Sequence, residues 1–255
     1  MNGLIKIKMS DQDIVSWPSF LQEAQMDKNK FCLEIVSQQK LCDLCDYLYF
    51  EHQKLNFHSA QLGHMSFDFK ETYTYHQRQN YALSREPLAR ALGIKGENKP
   101  FVWDTTCGTG KDSLLIKYFG SKLRSFERHP AIYLLLIDAQ RRYDLDFEIV
   151  FADASQFLSN LSNFSEELRP DVIYYDPMYP EKSGSKKSAL PRKEMRIFKD
   201  MVGEDLDSKE FLEWALSVAK KRVVVKRSLS APLIKENPTA SYKGKSTRYD
   251  MYKIF

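Results

Sequence analysis

Long apolar runs are missing from this chain of 255 residues: no stretch approaches the roughly 18 to 20 consecutive apolar residues that a membrane span needs. The opening, MNGLIKIKMSDQD, has no apolar core followed by a small-residue cleavage site. A cytoplasmic protein with no membrane partner is therefore expected. Cysteine is scarce as well. Four irregularly placed cysteines exclude a disulfide framework, and the CDLC pair, Cys42 and Cys45, has no second Cys or His pair at zinc spacing. It reads as two reduced thiols, and no metal site is expected. Internal repeats, low-complexity tracts and long linkers are absent too. What remains is an ordinary globular composition, 43% hydrophobic and 28% charged, long enough to bury a full core.

The net charge is only +4, but the basic residues are unevenly spread. Between positions 182 and 199, Lys182, Lys186, Lys187, Arg192, Lys193, Arg196 and Lys199 stand against Glu194 alone. From 220 onward, ten Lys or Arg stand against Glu236 and Asp250. Such a patch favours polyanions, because phosphate contacts release condensed counterions. Taken by itself, a charge run is equally a solvated face.

From about residue 99 the pattern alternates strands with helices. PFVWD, LRSFE, FEIVF, DVIYYD and RVVVK read as strands; KDSLLIKYF, PAIYLLLIDAQRRY and SKEFLEWALSVAKK read as helices, with Pro130 in a first turn and Ser208 as a cap. A short helix is expected near 154 to 161. Nearly all-apolar strands separated by helices imply a parallel sheet covered on both faces. STRYDMYKIF should return as an antiparallel strand at or next to the edge. Residues 1–98 mix strand candidates (KLNFHS, HMSFDF) with helical pieces (REPLARALGI) and show no βα rhythm. The expected layout is a small α+β domain over 1–98, possible RNA contact included, and an α/β Rossmann-like domain over 99–255.

FVWDTTCGTGKDS puts Asp104 at the end of the first of these strands, with Gly108 and Gly110 in the turn before a helix. Glycines there let a ligand approach the backbone, and the helix N-terminus offers free N–H groups. A phosphate-cradling loop requires GxxxxGK and then Ser or Thr; Thr105 replaces the first glycine and Asp112 follows Lys111. A dinucleotide fingerprint, GxGxxG, fails at Ser113. The class left is the S-adenosylmethionine turn. Glu127 closes the next strand, at the spacing that suits ribose hydroxyls, and Asp153 follows the third, placed for an adenine amino group.

The fourth strand ends in DPMYP. Asp176 could accept the N–H bonds of an exocyclic amine and stabilise the charge that develops on it. Tyr179 could stack on a base, worth about 1 to 3 kcal/mol in single-strand recognition, and Pro177 and Pro180 would stiffen the turn between them. Asp176, Pro177 and Tyr179 are thus the candidate catalytic residues.

DTTCGTGKD, FERHP, YYDPMYP, KSALPRKEMRIFKDMVGEDLD and RVVVKR together closely resemble the RsmJ family, bacterial methyltransferases of 16S ribosomal RNA. That family modifies the N2 amine of a guanine near the RNA's 3′ end. The resemblance covers about residues 85 to 255, and KSAL followed by KEMR is its most specific part. It implies a Rossmann-like, S-adenosylmethionine-dependent methyltransferase with 16S rRNA or the small subunit as partner. It further implies cofactor contacts at Lys111, Asp112, Glu127, Arg128, Asp153, Ala154 and Asp176. Lys186, Lys187, Arg192, Lys193 and Arg196 would hold the RNA backbone; Lys226 and Arg227, after the fifth strand, read equally as further phosphate contacts and as a solvated strand end. A guanine N2 amine lies in the minor groove and is tied into pairing, so it must be met in a loop or extracted. Rival expectations are methylation of adenine N6 or of a protein amide, whose enzymes usually carry NPPY, and a noncatalytic RNA-binding scaffold. Asp176 and Met178 disfavour the first; intact acids at 104, 127, 153 and 176 disfavour the second.

Overall fold

The computed structural model describes residues 5–9, 18–26, 33–37, 46–157, 168–178, 193–202 and 207–255. In chain order the first elements are β1 (Ile5–Met9), α1 (Ser19–Met26), β2 (Leu33–Ser37), β3 (Tyr47–Glu51), β4 (Lys54–Ser59) and β5 (Gly63–Met65). Then come α2 (Phe69–Arg78), α3 (Pro87–Leu92), β6 (Val102–Asp104), α4 (Lys111–Tyr118), β7 (Leu123–Glu127) and α5 (Pro130–Tyr143). The remainder is β8 (Glu148–Phe151), α6 (Ala154–Phe157), β9 (Val172–Tyr175), α7 (Lys193–Val202), α8 (Ser208–Val218), β10 (Arg222–Ser228), β11 (Ala240–Lys243) and β12 (Thr247–Lys253).

The chain divides into two compact units. One comprises Met1–Phe69, His129–Leu145 and Gly184–Val202; the other comprises Lys70–Arg128, Asp146–Ser183 and Gly203–Phe255. The sequence pattern places a boundary at 98/99. In the structure Lys70–Asn98 groups with the second unit, because α3 packs on β10, β11 and β12.

The first unit holds a five-stranded sheet in the order β2-β1-β3-β4-β5, with β1 parallel to β2 and β3, and the rest antiparallel. His52 and Gln53 link β3 to β4 with positive φ at both positions, the backbone that a tight hairpin demands. Alternation sends Leu48, Leu55, Phe57 and Met65 to one buried face. Helix α5 packs on β4 and carries Asp138, which is fully buried. Its carboxylate accepts the Leu55 N–H at 3.0 Å and pairs with Arg141 and Arg142, both at 2.8 Å. Those arginines also donate to the carbonyls of Gln53 and Phe67. One acid thus ties a helix to a hairpin.

The second unit is a seven-stranded sheet in the order β11-β12-β10-β9-β6-β7-β8. Strands β8, β7, β6, β9 and β10 are parallel; β12 runs antiparallel to β10, with β11 outside it. The final strand is next to the edge, as expected. From β6 the chain builds outward through β7 and β8, then returns to lay β9 on the opposite side. The β6/β9 boundary is therefore a topological switch point, where open α/β sheets bind ligands at the strands' carboxyl ends.

Period-two alternation splits this sheet into a core face and a site face. Trp103, Ile173, Tyr175, Val223 and Val225 pack with Phe211, Leu212, Ala215 and Val218 of α8, and the Tyr175 and Phe211 rings stack at 4.2 Å. Asp104, Tyr174 and Ser125 are register partners on the opposite face, which Glu127, Asp176 and Lys226 extend at the strand ends. The expected Ser208 cap is displaced: Asp207 is the N-cap of α8, without a side-chain capping bond, and Ser208 is the first helical residue.

Asp138→Ala should destabilise the protein by about 3 to 5 kcal/mol, since it strands two arginines and a buried N–H. Urea titration of both proteins measures this; a difference below about 1 kcal/mol would remove Asp138 as the tie between helix and hairpin.

Candidate active site

The site begins where β6 stops. Thr105 donates through its N–H and its hydroxyl to the Tyr174 carbonyl (3.0 and 2.9 Å), and Thr106 Oγ1 accepts the Asp176 N–H at 2.7 Å. The Cys107 N–H reaches the Phe126 carbonyl at 3.0 Å. The turn is thereby fastened to the ends of both flanking strands. Gly108 and Gly110 take φ of +57° and +76°, left-handed values that other residues adopt only with strain. Gly110 is the N-cap of α4 and provides no capping side chain. The first N–H groups of that helix are left without a side-chain acceptor at the cap.

The four strand-end acids line up in sheet order as Asp176, Asp104, Glu127 and Asp153. Their environments differ. Asp104 is 1% exposed, accepts the Thr106 N–H at 3.1 Å and the Ser113 hydroxyl at 2.5 Å, and its partner Ser113 continues to Ser125 at 2.9 Å. Burial pushes its carboxyl up to about 7, against those hydrogen bonds and with help from Asp112 and Asp176. It holds the turn from beneath. Glu127 is also buried, and its Oε2 accepts the Gly108 N–H at 3.0 Å. Asp153 accepts both the Ser155 N–H and hydroxyl at the start of α6 and lies 3.7 Å from the exposed Arg128. Ala154 is buried, and Lys111 is exposed at the first turn of α4.

Asp112 and Asp176 meet around one ammonium. Lys226 Nζ lies 2.6 Å from Asp112 Oδ2 and 2.9 Å from Asp176 Oδ2, and the Tyr174 hydroxyl donates to the same Asp112 oxygen at 2.5 Å. Burial alone would raise Asp112, but the Lys226 charge and the bonds from Lys226 and Tyr174 outweigh it and lower it. Asp176 moves the other way, raised by burial and by Asp112 against the pull of Lys226. Its side chain nevertheless remains 37% accessible. His76 of α2 is buried, bonds the Tyr81 hydroxyl through Nδ1 at 2.8 Å, and is lowered by burial while Asp112 pulls it back.

The structure therefore brings together Asp104, Gly108, Gly110, Asp112, Glu127 and Asp176. Pro177 follows, buried. Tyr179, Pro180, Lys186, Lys187 and Arg192 lie outside the described residues, as do Cys42 and Cys45. Lys193 opens α7, and Arg196 on that helix is exposed. Lys226, expected either as a phosphate contact or as a solvated strand end, has its ammonium engaged by two carboxylates. Tyr174, Thr106 and Ser113 were not singled out from sequence. Tyr174 and Lys226 share strand parity with Asp176, a signal that alternate positions of neighbouring strands do carry.

The model for S-adenosylmethionine-dependent methyltransferases matches residues 29–254. Ribosomal RNA small subunit methyltransferase J of Thioalkalivibrio sulfidiphilus is 42% identical over 197 residues, 74% of this chain and 76% of that protein. The protein of the same name from Haemophilus ducreyi is 41% identical over 199 residues, 76% and 78%. The chain belongs to the ribosomal RNA small subunit methyltransferase J family. A solved S-adenosylmethionine-dependent methyltransferase of Neisseria gonorrhoeae superposes with a TM-score of 0.71 at 28% identity, covering 98% of this methyltransferase and 96% of its own chain. The cofactor of this methyltransferase is S-adenosylmethionine. The residues present fit it: a glycine turn with no Cβ on its approach, an uncapped helix start, and carboxylates at the next two strand ends. Among the described residues no helix is long and apolar enough to cross a membrane.

The titration of Asp104 is directly testable. Its folded value near 7 lies above the unfolded value of about 4, so the stabilisation it gives is complete below pH 4 and is lost as pH rises through 7. Asp104→Asn should erase this fall, at most about 1.4 kcal/mol per pH unit, in denaturant titrations between pH 4 and 8. Parallel curves for the two proteins would contradict a protonated Asp104.

Proposed function

We propose that this methyltransferase transfers the methyl group of S-adenosylmethionine to the exocyclic N2 amine of a guanine near the 3′ end of 16S ribosomal RNA, in the cytoplasm. One observation carries the reading: Asp176 presents a partly exposed carboxylate beside the glycine turn, with its backbone locked to Thr106. Bound in the site, the cofactor supplies a methyl group already activated by its sulfonium. The chain's own task is alignment, since a nucleophile held about 3 to 3.5 Å from the reacting carbon gains most of the available proximity effect.

Glu127 is placed to accept ribose hydroxyls, and Asp153 with Ala154 to meet the adenine edge; Gly108 and Gly110 give the backbone close approach. Lys111, Asp112 and Arg128 supply charges for the polar tail and rim. Asp176 accepts the N–H bonds of the incoming amine, whose lone pair is otherwise conjugated into the base, and stabilises the positive charge that grows on nitrogen. Pro177 fixes the exit from β9, and Tyr179 stacks on the base. Lys186, Lys187, Arg192, Lys193 and Arg196 track the RNA backbone. The family's names support ribosomal RNA as the substrate.

Incubation with labelled S-adenosylmethionine and either unmethylated small subunits or naked 16S rRNA, followed by mapping of the modified nucleotide, tests the proposal. N2-methylguanine near the 3′ end is expected; methyladenine or a labelled protein would reject it. Asp176→Ala should lose about 10²-fold or more of the transfer rate while largely sparing the fold. Replacing Lys186, Lys187 and Arg192 by alanine should flatten the plot of log affinity against log salt by about 2 in slope. An unaltered slope would take these three residues out of the RNA contact.

A further inference from the structure

We infer that Lys226 is a positioning residue of the transfer reaction: its ammonium, 2.9 Å from Asp176 Oδ2 and 2.6 Å from Asp112 Oδ2, holds the Asp176 carboxylate charged and oriented toward the incoming amine. The inference rests on the proposed role of Asp176.

The sheet register brings the lysine there. Val225 pairs with Tyr175 in the parallel β9/β10 ladder, so the next position along each strand puts Lys226 beside Asp176 on the site face. From the antiparallel side, Tyr249 of β12 is the register partner of Lys226. The lysine side chain is only 22% accessible, and its two carboxylate partners come from separate elements, the first turn of α4 and the end of β9. This is a bridging geometry.

The charges around Asp176 explain why a bridge is needed. Asp112 of α4 and Asp104 of β6 are acids, Tyr174 of β9 and Tyr249 of β12 are phenols, and Lys226 and Arg227 of β10 are cations; His76 of α2 acts on Asp112. Burial and Asp112 both push Asp176 toward its protonated form, and Lys226 is the largest opposing influence. A protonated carboxyl would donate a hydrogen bond from one oxygen, whereas the amine requires acceptors. In the transfer, the N2 lone pair forms the new N–C bond while the C–S electron pair returns to sulfur. The surplus amine proton passes to the Asp176 carboxylate and on to solvent. A neutral Asp176 would keep only one free acceptor for the amine and could not take that proton.

The test is the single-turnover methyl-transfer rate against pH, at saturating S-adenosylmethionine and RNA, for wild type, Lys226→Met, Lys226→Gln and Lys226→Arg. In the Met and Gln variants the acid limb should move up by one pH unit or more, a tenfold loss of ionised Asp176 at a given acidic pH, with the rate recovering at high pH. Lys226→Arg should keep the wild-type limb. Neutral variants whose profiles are merely lowered in parallel, or unchanged, would overturn the inference. Asp176→Ala separates the two readings: an active Asp176→Ala refutes the role of Asp176 itself, whereas an inactive one with unshifted Lys226 variants refutes only the bridge. If neither neutral variant folds, the carboxyl carbon of Asp176 in ¹³C-labelled wild type decides. It should report a carboxylate at pH 7, and a protonated acid there would overturn the inference.

Discussion

One lysine ammonium, shared between a helix-start acid and a strand-end acid, organises the carboxyl edge of the larger sheet. Asp104, Asp112 and Asp176 converge on the site side of that edge, and like charges a few ångströms apart at intermediate dielectric repel by several kcal/mol. The structure resolves the conflict in two ways. Burial pushes the Asp104 carboxyl up to about 7, which lessens its charge near neutral pH, while Asp112 and Asp176 share the charge of Lys226. The Tyr174 hydroxyl adds a further donor to Asp112, so that acid stays ionised and anchors the lysine. Asp176 receives the weaker share of the pairing and remains partly open to solvent, as a group that must accept bonds from an incoming amine should be.

This arrangement requires a rigid edge, and the sheet's two faces divide the work. The face bearing Trp103, Ile173, Tyr175, Val223 and Val225 is sealed by α8 and commits the strands to one register. That register places Tyr174, Asp176 and Lys226 at alternate positions of adjacent strands on the opposite face, where α4 begins. A slip of one residue would turn these polar side chains into the core and bring Trp103 to the site. The hydrogen bonds from Thr105, Thr106 and Cys107 then hold the glycine turn to the ends of β9 and β7. Packing on one side of the sheet thus sets the electrostatics on the other.

The larger sheet was legible because its signals are local. Four of the parallel strands, β6, β7, β8 and β9, end at or just before an acid, and Pro130 together with the apolar period of PAIYLLLIDAQRRY marks α5 at the bounds the structure gives. The first unit was less legible. Strand β1 pairs with β2 and β3 in parallel, and no local period announces partners so distant in sequence. Helix α2 is polar over most of its length, and nothing local in FKETYTYHQR announces the link from His76 to Tyr81. Ser208 looked like a cap by residue type, but helix entry is set by backbone conformation, and the boundary fell one residue earlier. The carboxylate partners of Lys226 are invisible in sequence for a related reason. A lysine ending an apolar strand resembles any solvated strand end until Asp112, 114 residues away, is folded beside it.

The four strand-end acids look equivalent in sequence, yet burial separates them into different tasks. Asp104 and Glu127 both spend carboxylate oxygens on backbone N–H groups of the glycine turn, at Thr106 and Gly108. Asp153 does the same for the start of α6 through Ser155. These acids shape the backbone on which a ligand would rest. At Asp176 the backbone N–H, not the carboxylate, is bonded to the turn. That inversion leaves its side chain for Lys226 and solvent. Environments that push neighbouring carboxyls in different directions are a common means of assigning acid and base roles. In this sheet edge the distinction arises from which end of the residue, amide or carboxylate, the turn consumes.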